Sequence, residues 1–185
     1  MSATPIPSLS RPLHAAVVTV SDSCARGERA DTSGPAVAAL LSGEGFTVTH
    51  RVIVPDEQPA IEDALHTAAA TAALVVTTGG TGLTQRDVTP EATRAVCARL
   101  LDGLSEQMRR EGLKETPFAV LSRGVCGLLG KTLVVNLPGS PRGAATSLRA
   151  LLPVLPHALG LIADPSDPHP DAPKNNGATN AELPV

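Results

Sequence analysis

Two hydrophobic periods alternate along this chain, and their order predicts its architecture. Residues 46–54 repeat at every second position: Phe46, Val48, Val52 and Val54 share one face, and Thr47, Thr49 and Arg51 the other. That alternation predicts a strand, with His50 interrupting its apolar side. Residues 14–20, 73–77 and 131–136 are short apolar runs that predict buried strands. Between them the period lengthens. Ile61, Ala64, Leu65 and Ala68 form an i, i+3, i+4, i+7 stripe and predict a helix over residues 58–71. A helix over residues 36–41 is opened by Thr32, Ser33, Gly34 and Pro35 and ended by Gly43 or Gly45. Another is predicted over residues 90–101, with Thr89 as its cap and Pro90 at its first position. Residues 102–114 form a second amphipathic segment, and residues 142–162 a final helix that Pro153 and Pro156 should bend or break. Residues 117–121 fit neither period. Strands separated by helices in this way predict an α/β fold, a parallel sheet with helices on both faces. Residues 14–162 are expected to form the domain, between a flexible arm at 1–13 and a disordered tail at 163–185.

Composition narrows the class of partner. The chain of 185 residues is 42% hydrophobic but 1% aromatic, with Phe46 and Phe118 its aromatic residues. The core must therefore be built from Ala, Val and Leu, and platforms for stacking single-stranded bases are missing. A net charge of −3 gives no electrostatic case for a nucleic-acid or membrane partner. No apolar run approaches transmembrane length, and residues 1–12 lack the apolar centre of a signal peptide. Cys24, Cys97 and Cys126 lie far apart with no CxxC pair, which fits a reducing compartment. A cytoplasmic protein is expected.

The most informative stretch is VVTTGGTGLTQRDVTP, residues 75–90. A strand that empties through Gly79, Gly80 and Gly82 toward a helix start brings backbone N–H groups close to a bound anion. The pattern predicts a phosphate pocket, with a tight glycine turn that holds no ligand as the alternative. In parallel α/β sheets, ligands bind at the carboxyl ends of the strands. The polar loops after Val20, Val54, Thr78 and Asn136 all open onto that edge, and together they favour a site over mere turns. Two near-matches to known phosphate motifs fail. Residues 125–132, VCGLLGKT, lack the first glycine of a Walker loop and run into a β-prone segment instead of a helix. The dinucleotide fingerprint that begins at Gly80 meets Gln85 at its sixth position.

Four ordered segments resemble the molybdopterin adenylyltransferase family: TTGGTG at 77–82, RDVTPEA at 86–92, Ser122 with Arg123, and NLPGSP at 136–141. Residues 21–35 are similar to the family's first loop, and the resemblance covers residues 14–162. It implies a three-layer α/β/α sandwich with a mostly parallel sheet, assembled as a homotrimer. It also implies a reaction in which molybdopterin and Mg-ATP give adenylylated molybdopterin and pyrophosphate. The product is then handed over to a molybdenum-insertion protein. The terminal phosphate of molybdopterin is ionised near neutral pH, so no general base is needed. Catalysis then rests on in-line positioning and on neutralising charge at the α-phosphate.

Asp56 and Asp87 are the catalytic and Mg²⁺ candidates, because Mg²⁺ takes one or two carboxylates plus phosphate oxygens. The resemblance carries paired aspartates onto both positions; the structural alternatives are a helix cap for Asp56 and a turn for Asp87. Gly79, Gly80, Thr81 and Gly82 are expected to cradle phosphate through their amides. The resemblance gives Ser122 and Arg123 to the pterin or its phosphate, with an exposed loop arginine as the alternative for Arg123. It gives Asn136, Pro138, Gly139, Ser140 and Pro141 to the nucleotide side. Ser140 is expected to donate a hydrogen bond and not to act as a nucleophile, since the family reaction has no covalent step. Ser21 and Asp22 are further candidates with capping as the alternative. Arg86 and Arg142 stay open between phosphate contact and solvated charge. Cys24 and Cys126 are read as small packing residues. Three other functions remain: a non-catalytic molybdopterin- or nucleotide-binding scaffold, a nucleotide-diphosphate hydrolase on the same fold, and an unrelated sugar-phosphate or flavodoxin-like binder. Two carboxylates facing an anionic ligand count against the scaffold, and the Asn136 loop is unexplained by the last.

Overall fold

A computed structural model of the chain describes residues 13–164. The expected arm and tail lie outside the described residues, except that Leu13 opens the first strand and Ala163 closes the last helix. The strands are β1 (Leu13–Val20), β2 (Phe46–Val54), β3 (Leu74–Thr78), β4 (Arg99–Leu100), β5 (Cys126–Leu129) and β6 (Thr132–Leu137). The helices are α1 (Asp22–Ala25), α2 (Ser33–Gly43), α3 (Gln58–Ala69), α4 (Thr89–Val96), α5 (Asp102–Gly112), α6 (Pro141–Leu151) and α7 (Leu155–Ala163). The strands form one six-stranded sheet in the order β2-β1-β3-β6-β5-β4. The first four in that order are parallel, and β5 and β4 are antiparallel to their neighbours.

The central strands are apolar at successive positions because both of their faces are covered. On one face Ala15, Val17, Leu74, Val76, Leu133 and Val135 pack beneath α2, α5, α6 and α7. On the other, Ala16, Val18, Val75 and Val134 meet Ile61 and Leu65 of α3 and Ala92 of α4. The result is the three-layer sandwich that the sequence implies, with an aliphatic core in which Phe46 is the buried aromatic ring. Among the described residues no single helix is long and apolar enough to cross a membrane.

Several elements depart from the sequence reading. The helix expected over 90–101 ends at Val96, and the chain turns extended at Cys97. There the amides of Ala98 and Leu101 donate to the carbonyls of Leu128 and Cys126 at 3.0 and 2.8 Å, which makes a short edge strand with no readable period. The Walker-like segment is a β-hairpin joining β5 to β6, and Gly130 at φ +58° supplies the left-handed residue a two-residue turn requires. Thr89 does not cap α4 but opens it, and its hydroxyl donates to the carbonyl of Gly79. Residues 117–121 form a 3-10 turn. The last helix breaks as expected: α6 and α7 meet at 64° across residues 152–154, where Pro153 cannot continue the ladder.

Asn136 ties these parts together. Its amide nitrogen donates to the hydroxyls of Thr77 on β3 and Thr93 on α4, at 3.1 and 2.9 Å, and its oxygen accepts the amide of Val125 at 3.2 Å. All three bonds are buried, so Asn136→Ala leaves unpaired polar groups behind. It is expected to cost about 3 kcal/mol, read as a lower urea midpoint at an unchanged m-value. A loss below about 1 kcal/mol would contradict this account of the residue.

Candidate active site

Four segments meet at the carboxyl edge of the sheet: the exits of β1, β2, β3 and β6. Their meeting depends on glycine. Gly79 has φ +103°, and a Cβ there would lie 2.2 Å from the carbonyl oxygen of Val20. A Cβ on Gly139 would lie 3.2 Å from the Cα of Gly79. The Thr78 hydroxyl donates to the carbonyl of Pro138 at 2.8 Å, and the amide of Gly79 to that of Leu137 at 3.2 Å. Thr89 fixes the next residues, its hydroxyl and amide donating to the carbonyls of Gly79 and Gly80 at 2.9 and 3.1 Å.

Two clefts open on either side of this junction. The first, about 430 Å³, lies against α5, α6 and the 117–121 turn; its walls include Met108, Phe118, Ala119 and Leu121, and Asp87 and Ser122 lie along it. The second, about 720 Å³, lies against α1 and α2 and is polar, with Thr19, Ser21, Arg29, Asp31, Ser33 and Asp56 on its walls. Gly80, Gly139 and Ser140 border both. An apolar-walled compartment and a more polar one therefore share one floor.

Asp56 does not cap α3; Glu57 occupies the cap position, without a side-chain bond. Instead Asp56 and Asp22 clasp each other. The amide of Asp22 donates to Asp56 Oδ2 at 2.7 Å, and the amide of Asp56 to Asp22 Oδ1 at 3.0 Å. Arg86 holds Asp22 through Nε and Nη2 at 2.8 to 3.0 Å. The Asp56 amide bond and Arg86 keep the Asp22 carboxyl below its ordinary range. Burial pushes Asp56 the other way, above the ordinary range, and the nearby charges of Asp22 and Asp87 add to the rise. Asp87 closes a turn, accepting the amide and hydroxyl of Thr84 at 2.8 and 2.6 Å. Burial works to raise its carboxyl, but the Thr84 and Gly82 bonds and Arg123 outweigh this and lower it.

The other expected residues divide between lining and bracing. Thr81 and Gly82 line the first cleft, and Ser122 borders it with its hydroxyl accepting the Gly124 amide at 3.4 Å. Arg123 is turned away: Nη2 donates to Glu91 Oε2 at 2.6 Å and to the Asp87 carbonyl at 3.2 Å, so it braces the glycine loop. Asn136 holds the scaffold and, with Pro138, also lines the first cleft, not the second. Ser140 caps α6, accepting the Gly143 amide at 3.2 Å, and Pro141 begins that helix. Ser21 caps α1 and borders the second cleft. Arg86 and Arg142 are ion-paired, with Asp22 and Glu115. Burial pushes the Cys126 thiol up to about 12, as suits a packing residue.

Sequence reasoning missed Asp31, Arg109 and Phe118. Asp31 accepts the Thr19 hydroxyl at 2.8 Å and the Gly34 amide at 2.9 Å, shaping the second cleft. Its position three residues before Gly34 is a local signal that was available. Arg109 donates to the carbonyl of Gly124 at 3.3 Å across the fold, which no local pattern announces.

Because Asp56 holds its proton more tightly folded than unfolded, its stabilising contribution is present below the ordinary carboxylate value, about 4. That contribution is lost as pH rises through the raised folded value. Near pH 7 the ionised Asp56 weakens the fold. Asp56→Asn is therefore expected to raise Tm by roughly 2 °C, after allowance for solvent screening, with the gap closing toward pH 4. Thermal melts at both pH values check this, and a lower Tm for the variant near pH 7 would contradict it.

Comparisons with known proteins give the family and the fold. A family model described as a probable molybdopterin binding domain matches residues 16–157. The chain is 41% identical over 154 residues to the molybdopterin adenylyltransferase of Helicobacter pylori, a match covering 81% of this chain and 88% of that one. It is 39% identical over 144 residues to the molybdopterin adenylyltransferase of Escherichia coli, covering 75% and 73% respectively. The molybdenum cofactor synthesis protein cinnamon of Drosophila melanogaster is 43% identical over 152 residues, but this chain spans 25% of its length. Among solved structures, the molybdopterin biosynthesis enzyme MoaB of Thermus thermophilus matches with a TM-score of 0.77 at 51% identity, covering 81% of this chain and 96% of that one.

Proposed function

This chain belongs to the molybdopterin-binding domain family of molybdenum cofactor biosynthesis, and we propose that it transfers the adenylyl group of ATP to molybdopterin. The observation that carries the reading is the shared floor of the two clefts at Gly80, Gly139 and Ser140. The apolar-walled cleft suits a flat pterin, and the polar one suits a nucleotide. With a substrate in each, the pterin's terminal phosphate and the α-phosphate of ATP meet over the glycine loop. A phosphate oxygen of molybdopterin forms the new bond to the α-phosphorus, the bond from that phosphorus to the bridging oxygen breaks, and pyrophosphate leaves. No proton needs to be removed from the nucleophile. The protein's part is alignment and charge stabilisation.

Asp56 and Asp87 fit a divalent cation. Asp56 Oδ1 lies 3.3 Å from where a Cβ on Gly80 would be, and Asp87 Oδ2 lies 3.1 Å from the equivalent point on Gly82. The two carboxylates thus flank the loop that would carry the phosphates. When bound, Mg²⁺ would neutralise charge on the phosphate oxygens. No cluster of three or more His, Cys, Asp or Glu forms a cage among the described residues. A metal here would be shared between these two aspartates, substrate oxygens and water. Ser140 keeps a hydrogen available to donate while its oxygen caps α6, which suits a phosphate contact. The proposal carries with it a homotrimer, a cytoplasmic setting and hand-over of the product to a molybdenum-insertion protein.

The test is turnover of purified protein with molybdopterin and Mg-ATP under anaerobic conditions, following pyrophosphate and adenylylated pterin. Asp56→Asn and Asp87→Asn are each expected to lower turnover about 100-fold or more while remaining folded. Chelating the metal should stop product formation. Pyrophosphate or AMP released without pterin would assign a hydrolase instead, and tight pterin binding without product would assign a scaffold.

A further inference from the structure

We propose that Phe118 is the side chain that covers the pterin ring of the substrate, closing the first cleft from its solvent side. The inference rests on the assignment of that cleft to the pterin. Phe118 lines the cleft, yet it is 73% exposed. It does not stand alone: Leu113, Val120 and Leu121 on the same stretch are 49%, 60% and 47% exposed, and Leu121 also lines the cleft. No residue of the Pro117–Leu121 turn is buried. A single exposed apolar side chain is ordinary, whereas a cluster on the rim of a cleft marks a surface that another group covers.

The rim is held in place, so its exposure is not fraying. Ala119 sits against Gly112 of α5, where an added Cβ would come within 2.8 Å of the alanine's own. The Thr116 hydroxyl accepts the amide of Phe118 at 3.3 Å, and the amide of Ser122 donates to the carbonyl of Ala119 at 3.2 Å. Just before the turn, Glu115 is anchored to α6 by Arg142 at 2.7 Å and Thr146 at 2.6 Å. An anchored segment thus presents one aromatic ring to the mouth of the cleft. The chain has no tryptophan or tyrosine, and its other phenylalanine, Phe46, is buried in the core. Phe118 is therefore the aromatic surface the described chain offers to a flat heteroaromatic ligand, and such pairs favour offset-stacked or edge-on contact.

The test titrates wild type, F118A, F118L and F118W with molybdopterin under anaerobic conditions and, separately, with Mg-ATP, alongside steady-state turnover. Because the side chain is exposed, these variants should fold as wild type does. F118A is expected to weaken molybdopterin about tenfold, F118L to weaken it less, and F118W to bind as well as wild type. KM for molybdopterin should rise far more than kcat falls, and the affinity for ATP should hold. F118A binding molybdopterin as tightly as wild type would overturn the inference, as would equal losses for both substrates. So would a drop in oligomer mass with pterin affinity intact, which would give the ring to a subunit contact. Wild type that fails to bind molybdopterin at all would overturn the reading of the cleft itself, and this inference with it.

Discussion

The carbonyl oxygen of Val20 leaves no room for a side chain at residue 79, and the ligand edge is built on that contact. A Cβ on Gly79 would stand 2.2 Å from it, well inside any van der Waals limit. With glycine there, the exits of β1 and β3 close on one another, and Gly139 lets the exit of β6 close on both. Thr78 and Thr89 then fasten the crossing through the carbonyls of Pro138 and Gly79. Because these segments cannot separate, the clefts on either side of them share a floor. A reaction between two bound molecules needs that arrangement, since alignment of the reacting atoms supplies much of the rate when the nucleophile is already ionised.

Electrostatics at this floor is set by what the arginines do elsewhere. Arg86 is paired with Asp22, Arg123 with Glu91 and Arg142 with Glu115. Each braces a loop, and among these residues none leaves a free guanidinium facing the glycine loop. Asp56 carries a burial penalty and lies near two other carboxylates, offset only in part by the Asp22 amide and the charge of Arg86. In the proposed reaction, that uncompensated charge is what a bound cation would meet. The same burial penalty is why its neutral variant should be the firmer fold, a trade common where a charged group is kept for function.

The sequence was most legible where burial alone decides structure. Strands covered on both faces are apolar at most positions, so β1, β3 and β6 stood out, and the glycine loop between β3 and α4 announced its own geometry. It was least legible where a partner strand or a distant side chain decides. Arg99 and Leu100 become a strand only because β5 lies beside them, and the Cys126–Leu129 segment becomes one only because Gly130 turns it onto β6. Asn136 and Arg123 illustrate the same limit at the site. Their types and positions fit ligand contacts, and the fold also engages both in the scaffold, through Thr77, Thr93 and Val125 for Asn136, which still borders the first cleft, and through Glu91 and Asp87 for Arg123. Asp56 and Asp87 kept their places beside the glycine loop, although the role of Asp22 as clasp was not visible in the local pattern.

The central claim is that the two substrates react directly across the shared floor, with no group on the protein intervening. The stereochemical course at the α-phosphorus tests this, using ATP made chiral there with sulfur in place of one oxygen. A single in-line displacement inverts the configuration of the phosphorus in the adenylylated product. Inversion is the result this account predicts. Retention would require two displacements and a covalent adenylyl-protein intermediate, and it would contradict the account.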